Sequence, residues 1–182
     1  MLQKRNDFEI IIALQHTKKH IRQLAQELDL PPSTISRILM RLEEENVVDF
    51  TRQGKNKIYF LKHTLEAKQY ILFSEHYKFL QAIQEPRLRR ICKKLQEITN
   101  GELIILFGSF ANNTQKTKSD IDIYVETQES NLRSQLQSID QRLSIQIGFF
   151  EKSSALAQEI IKNHVVIQNV ERFYSLLQNE IN

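Results

Sequence analysis

Scarcity is the first property of this sequence. Its 182 residues include one cysteine, three prolines, four glycines and no tryptophan. A lone thiol, Cys92, excludes an intrachain disulfide framework and any multi-cysteine zinc site. The five histidines are scattered and offer no metal-ligand spacing. No apolar run reaches the roughly 18 residues a membrane span needs, so no membrane partner is expected. The opening MLQKRNDFEI lacks an apolar signal core and a small-residue cleavage site, which leads us to expect a reducing, cytoplasmic setting. Few glycines and prolines mean few loops, so each one carries positional information. What is present is 41% apolar and 26% charged residues, enough to bury a core in a chain of one domain or a little more.

The net charge of +3 is unevenly spread. Residues 1–63 carry 11 basic against 8 acidic side chains, residues 64–100 carry 7 against 4, and residues 101–182 carry 7 against 10. A basic front half suits a polyanion, and the acidic back half suggests different employment.

Apolar periodicity predicts a helix over residues 5–15, with Phe8, Ile11, Ile12 and Leu14 near one face. Ile21, Leu24, Ala25 and Leu28 follow the i, i+3, i+4, i+7 pattern of a short amphipathic helix. Asp29-Leu30-Pro31-Pro32 breaks it, and Pro32 can open the next helix because the first turn tolerates proline. That third helix, Ser33 to about Glu45, spaces Ile35, Leu39 and Leu42 for burial. Asn46 follows, the residue type after glycine that best accepts a left-handed helix stop. Val48, Phe50, a Gln53-Gly54-Lys55-Asn56 tip, then Ile58 and Phe60 read as a hairpin with a basic tip.

Helix, helix, tight turn, helix, hairpin is a helix-turn-helix with a wing. The stretch LPPSTISRILMRLEEENVV, residues 30–48, resembles the recognition-helix segment of winged-helix transcription regulators, and the resemblance covers residues 5–63. Asn46 stands where that family usually has glycine. The resemblance implies binding to double-stranded DNA by the exposed row Ser33, Thr34, Ser36, Arg37 and Arg41, with Arg52, Lys55 and Lys57 on the wing.

Residues 64–83 predict a long helix whose apolar set, Leu65, Ile71, Leu72, Phe73, Tyr77, Phe79, Leu80 and Ile83, is too wide for one interface. A second subunit is the expected extra partner, hence a homodimer. Pro86 ends that segment. The next helix, 87–98, turns Leu88, Ile91, Cys92, Leu95 and Ile98 inward and Arg87, Arg90 and Lys94 to solvent.

The most specific stretch is LIILFGSFANNTQKTKSDIDIYVE, residues 103–126. Leu103–Phe107 reads as a strand buried on both faces. Gly108-Ser109 at its end offers backbone amides and a hydroxyl to a phosphate. In Ser119-Asp120-Ile121-Asp122-Ile123, residues two apart share a strand face, so the carboxylates converge while both isoleucines enter the core. Paired carboxylates beside a phosphate-binding turn suit magnesium and a nucleoside triphosphate.

This stretch resembles the minimal nucleotidyltransferases of the nucleotidyltransferase superfamily, with their Gly-Ser-x-Ala-x-Gly, five residues, Ser-Asp-x-Asp pattern. Gly108, Ser109, Ala111, Ser119, Asp120 and Asp122 match in register, and Asn113 replaces a glycine. A looser match runs over residues 87–180: strands 103–107, 121–126 and 143–149, a helix 130–142, then helices. The resemblance implies catalytic and metal-holding roles for Asp120 and Asp122. Nucleotide contacts fall to Gly108, Ser109 and Ser119, with ATP the expected nucleotide. Active relatives carry a third carboxylate on the strand after the intervening helix, where Gln146 is expected here; neutral Gln neither acts as a general base nor ligates magnesium well.

The expected architecture is therefore α+β: an N-terminal winged helix-turn-helix followed by a nucleotidyltransferase-like mixed β-sheet with flanking helices. The divisions are residues 1–63, a linking and dimerising helix 64–85, and residues 86–182. The leading expectation is a DNA-binding transcription regulator with impaired catalysis. The alternative is an active enzyme moving AMP from ATP to a protein or small-molecule hydroxyl, a toxin partner included.

Overall fold

A computed structural model of the chain describes residues 2–178. It divides into two compact units, residues 3–77 and the part from Lys78 onward. No helix among the described residues is long and apolar enough to cross a membrane.

The first unit runs α1 (Asn6–Leu14), β1 (Lys19–His20), α2 (Ile21–Leu28), α3 (Pro32–Glu44), β2 (Val48–Gln53), β3 (Asn56–Leu61) and the greater part of α4 (Leu65–Ala82). Its antiparallel sheet has the order β1-β3-β2. The expected helices and hairpin form within a residue or two of the predicted bounds; β1, only two residues long, was too short to leave a periodic signal. His20 caps α2: its ring nitrogen accepts from Gln23 N at 3.1 Å while the Gln23 side chain accepts from His20 N at 3.0 Å. Ile10, Ile11, Leu24, Ile35, Leu39 and Leu42 are fully buried and form the centre of this core.

Asn46 ends α3 in the left-handed region, at φ 63°. Its N–H donates to Glu43 O at 3.1 Å, and the Val47 N–H reaches back to Leu42 O at 2.9 Å, a Schellman closure that satisfies two end carbonyls. Its side chain explains why asparagine can stand for glycine here. The amide donates to Glu66 at 3.1 Å and accepts from Lys62, while the Asn46 carbonyl accepts from the Thr64 hydroxyl at 2.7 Å. One residue thus stops α3 and ties it to the start of α4. Asn46→Ala should destabilise this unit by about 1–2 kcal/mol, the cost of left-handed backbone for a residue with Cβ, whereas Asn46→Gly should lose only the side-chain bonds. Urea melts of the two variants check the order.

The second unit holds α5 (Pro86–Ile98), β4 (Ile104–Phe107), the one-turn α6 (Gly108–Ala111), β5 (Ile121–Glu126), α7 (Ser130–Gln137), β6 (Leu143–Gly148), α8 (Ala155–Lys162), β7 (His164–Gln168) and α9 (Val170–Gln178). Its sheet has the order β6-β5-β4-β7; β4 is antiparallel to β5 and to β7, and β5 is parallel to β6. Ile104, Leu106, Ile121, Ile123, Val125 and Ile145 build the central core, against which α5 lays Leu88, Ile91, Cys92 and Leu95. Burial pushes the Cys92 thiol up to about 12, which leaves it an inert core filler.

Three expectations need correction. Residues 164–168 form an edge strand, not helix: His164-Val165-Val166-Ile167-Gln168 is dense in β-branched residues that pack well on a pleated surface. The helix expected over 130–142 stops at Gln137. Arg87 is not a solvated helix charge; both its Nε and Nη2 donate to Asp140, with Nε–Oδ2 at 2.9 Å, so it braces α5 against the turn before β6.

Candidate functional site

Phe107, the last residue of β4, pairs with Asp122 on β5. Gly108 comes next, in the left-handed region at φ 66°. A Cβ added to it would lie 2.5 Å from the Asp122 Oδ2, so only glycine lets the backbone turn under that carboxylate. No side chain caps the start of α6, which leads away from Gly108-Ser109. The loop beyond uses Asn113 in the left-handed region at φ 57°, filling the place of the glycine in the related pattern. Asp120 is exposed, just ahead of β5, and Asp122 is half-buried, while Ile121 and Ile123 are fully buried.

Burial is the largest cause holding the Asp122 carboxyl above its ordinary range. A hydrogen bond from Ser144 opposes it, and the negative charges of Asp120 and Glu159 reinforce it. Among the described residues no three His, Cys, Asp or Glu side chains gather as a metal cluster. The donor set still suits magnesium. Asp120 and Asp122 are hard oxygen ligands, and a cation between them relieves their mutual repulsion. Asp122→Asn removes a charge that burial disfavours most and the neighbouring carboxylates disfavour further, so the metal-free protein should melt a few degrees higher at pH 7 than the unsubstituted chain. The sign follows from the shift. An acid with a raised folded pKa costs stability once pH exceeds its unfolded value, so the gain should vanish below about pH 4. Calorimetric scans at the two pH values check this.

β6 differs from expectation. The parallel register sets Ser144, not Gln146, level with Asp122; Gln146 is level with Tyr124, one pair further along. Ser144 is therefore the residue beside the carboxylates. Glu159, on α8, is the nearby acid that the sequence pattern did not reveal, because it enters from a different element. Ser119 is turned partly to its own loop: its hydroxyl accepts from Lys116 N at 2.9 Å, and its carbonyl accepts from Arg142 Nη2 at 2.8 Å and Nε at 3.1 Å.

In the first unit, Ser33, Ser36, Arg37 and Arg41 share one face of α3 and line a groove of about 490 Å3 with Met40 and Glu44. Arg37 is exposed, and Thr34 lies outside the groove. Arg41 is already engaged, its Nη2 3.1 Å from Asp7 Oδ2 and its Nε 3.7 Å from Glu45. Lys57 lies 3.6 Å from the centre of the Phe50 ring and 4.0 Å from Glu43. A second groove, about 480 Å3, gathers Lys55, Asn56 and Lys57 of the wing with His20 at the end of β1, Ile21 and Arg22 of α2 and Pro32 of α3. Arg52 is exposed on β2 and lines neither groove. Met40, His20 and Arg22 are the residues that sequence reasoning missed. Met40 was legible in principle, since it stands four after Ser36 on the same helical face.

Residues 3–49 match a family model described as winged helix-turn-helix DNA-binding, and residues 88–172 match one described as polymerase beta, nucleotidyltransferase. No curated protein matches the chain. Several solved structures resemble part of it, among them two toxin-antitoxin structures. One is the crystal structure of a toxin-antitoxin with AMP-PNP, 24% identical with a TM-score of 0.35. The other is a mutant of the toxin-antitoxin MntA-HpeT, 22% identical with a TM-score of 0.34. Each covers 50% of this chain and 90% of its own. With the fold, the Gly-Ser turn and the Asp pair in place, the chain carries a winged helix-turn-helix DNA-binding domain over residues 3–49 and a nucleotidyltransferase domain of the polymerase beta type over residues 88–172.

Proposed function

We propose that the protein is a DNA-binding transcription regulator whose nucleotidyltransferase domain binds a magnesium nucleotide, such as ATP, and transfers it feebly. The observation that carries this reading is the register that sets Ser144 beside Asp122 where an active site would want a carboxylate. Asp120 and Asp122 hold the metal, and Gly108 and Ser109 face the phosphates. Bound there, magnesium supplies charge neutralisation for the triphosphate. Ser144 donates a hydrogen bond to Asp122 but, with an ordinary hydroxyl, is no general base for an acceptor hydroxyl. Titration calorimetry with ATP and magnesium tests the binding half: heat release in the unsubstituted chain that disappears in Asp120→Asn supports the site.

Glu159 favours a second reading, an active enzyme moving AMP from ATP to a protein or small-molecule hydroxyl. The Glu159 negative charge reaches Asp122 from α8, although the three acids do not gather as a metal cluster among the described residues. Incubation with labelled ATP, magnesium and lysate separates the two. Brisk transfer that is lost in both Asp122→Asn and Glu159→Gln would put the enzyme first.

The regulator acts as a dimer in this reading. With the core-facing side of α4 buried, Leu65, Phe73 and Leu80 remain 79%, 53% and 44% exposed. Spacings of eight and seven keep them on one helical face. Sedimentation at micromolar concentration should report about twice 21.5 kDa, and Phe73→Ser should return a monomer.

A further inference from the structure

The nucleotidyltransferase domain has a second concave feature, at the end of its sheet away from Asp120 and Asp122. β5 and β6 are the one parallel pair among the described strands, and they finish at Glu126 and Gly148. A cavity of about 430 Å3 opens beyond those ends, lined by Thr127, Gln128, Arg133, Ile147, Gly148 and Phe149. Open α/β sheets present ligand crevices at the carboxyl ends of parallel strands. The volume falls within the roughly 300–1,000 Å3 of small-molecule sites. Asp122 lies four residues back along β5, about 13 Å at the usual strand rise, so the cavity is separate from the carboxylate pair.

Folding alone does not account for its lining. Phe149 is 71% exposed although Phe150, its neighbour, is buried. A large ring exposed at the rim of a cavity is apolar surface that the fold itself leaves unpacked. Arg133 is exposed, and no acid pairs with it among the described residues. Glu126, level with Gly148, is already gripped by Arg172, Nε to Oε2 and Nη2 to Oε1 both at 2.9 Å. Glu129, one helical turn before Arg133, is exposed and forms no ion pair with it. The rim is held in place by its own bonds: the Tyr124 hydroxyl donates to Gly148 O at 2.7 Å, and the Thr127 hydroxyl accepts from Glu129 N at 3.3 Å. A guanidinium fork with no internal partner matches a planar or tetrahedral acid group.

We propose that this cavity binds a small amphipathic anion, its flat apolar body against Ile147 and Phe149 and its single acid group on Arg133. Thr127 and Gln128 supply neutral polar contacts that orient it. Such a ligand sits on the domain joined to the DNA-binding unit, so it is of the effector class, and its binding does not depend on nucleotide at Asp120 and Asp122.

The chain has no tryptophan, so a fluorescent probe reads out cleanly. Anilinonaphthalene sulfonate carries both required parts, rings and one acid. It should bind saturably at one site per chain, and Phe149→Ser and Arg133→Gln should each weaken it at least tenfold. Arg133→Lys should fall between. N-phenyl-1-naphthylamine, the same rings without the sulfonate, should respond to Phe149→Ser and ignore Arg133→Gln. Competition by 1-naphthoate against 1-naphthyl phosphate then tells which acid group the site prefers. Both substituted side chains are exposed, so circular dichroism should show the fold intact. Probe binding indifferent to both substitutions overturns the proposal, as does binding lost only in Phe73→Ser on α4. So does a Phe149→Ser chain that changes its sedimentation while binding the probe normally, because Phe149 would then be a protein contact.

Discussion

Ser144→Asp should raise nucleotide transfer by about 10²–10⁴-fold, the usual contribution of a positioned acid or base, while Gln146→Asp should leave it near the starting level. The two positions are easily confused in the sequence, since both point to the same face of β6. Only the register separates them: Asp122 is level with Ser144, and Tyr124 is level with Gln146. A carboxylate at 144 would meet Asp122 directly, supplying a third hard ligand and a base for the acceptor hydroxyl. One at 146 would stand one pair further along the same face, beside Tyr124 rather than Asp122. The gain has a stability cost that also reports on geometry. Asp122 is already held above its ordinary range by burial, with Asp120 and Glu159 adding to the effect. Another negative charge should lower the melting temperature without metal and restore it when magnesium is added. Transfer of label from ATP, measured beside a thermal melt with and without magnesium, checks both halves. A large gain from Gln146→Asp and none from Ser144→Asp would overturn the register argument.

Local rules were sufficient wherever one residue had one task. Asn46 and Asn113 were legible as left-handed positions because asparagine is the residue besides glycine that adopts that backbone at little cost, and both have positive φ. The nearness of Asp120 to Asp122 was legible from the Ser-Asp-x-Asp spacing, and the Asp120 charge does act on Asp122, although Asp120 lies just ahead of β5 rather than on its face. The lateral neighbour of Asp122 was not legible. Which residue of β6 lies beside it depends on how many residues the crossover through α7 uses, and that helix is shorter than its periodicity suggested. Glu159 was hidden for a similar reason, being brought near by the packing of α8 rather than by spacing. On the DNA-binding unit, charge alone overcounted the free cations. Arg41 and Lys57 look like surface charges in the sequence, yet Asp7, Glu45, Glu43 and Phe50 occupy them. Nothing in the sequence paired Asp7 with Arg41, 34 residues away.

That overcount sharpens what DNA binding should look like. Arg37→Ala should weaken a specific site by about 1–3 kcal/mol, roughly 5- to 150-fold, and leave random duplex almost unaffected. Arg37 is exposed on the α3 face that also carries Ser33, Ser36 and Met40, the combination of hydrogen-bonding and apolar groups that base edges require. Lys55→Ala should behave differently. Lys55 lies at the wing tip in the groove with His20 and Arg22, away from that face, and a flexible ammonium suits a phosphate rather than a base edge. Its loss should weaken specific and random duplex alike and reduce the log–log salt slope by about 0.9, one phosphate contact. Arg22→Ala should match Lys55→Ala, since both line the same groove. Arg41→Ala should act chiefly on stability: its guanidinium is tied to Asp7, whose carboxyl burial pushes up but Arg5 and the Arg41 charge hold below the ordinary range. Removing Arg41 leaves Asp7 with Arg5 alone. Stability that depends on a depressed carboxyl is present above its unfolded pKa and fades as pH falls through the folded value, so the Arg41→Ala deficit should shrink in acid. Anisotropy titrations over a salt series, on a selected site and on random duplex, separate these roles. Equal loss on every sequence for Arg37→Ala would remove its base-reading role and return α3 to backbone binding.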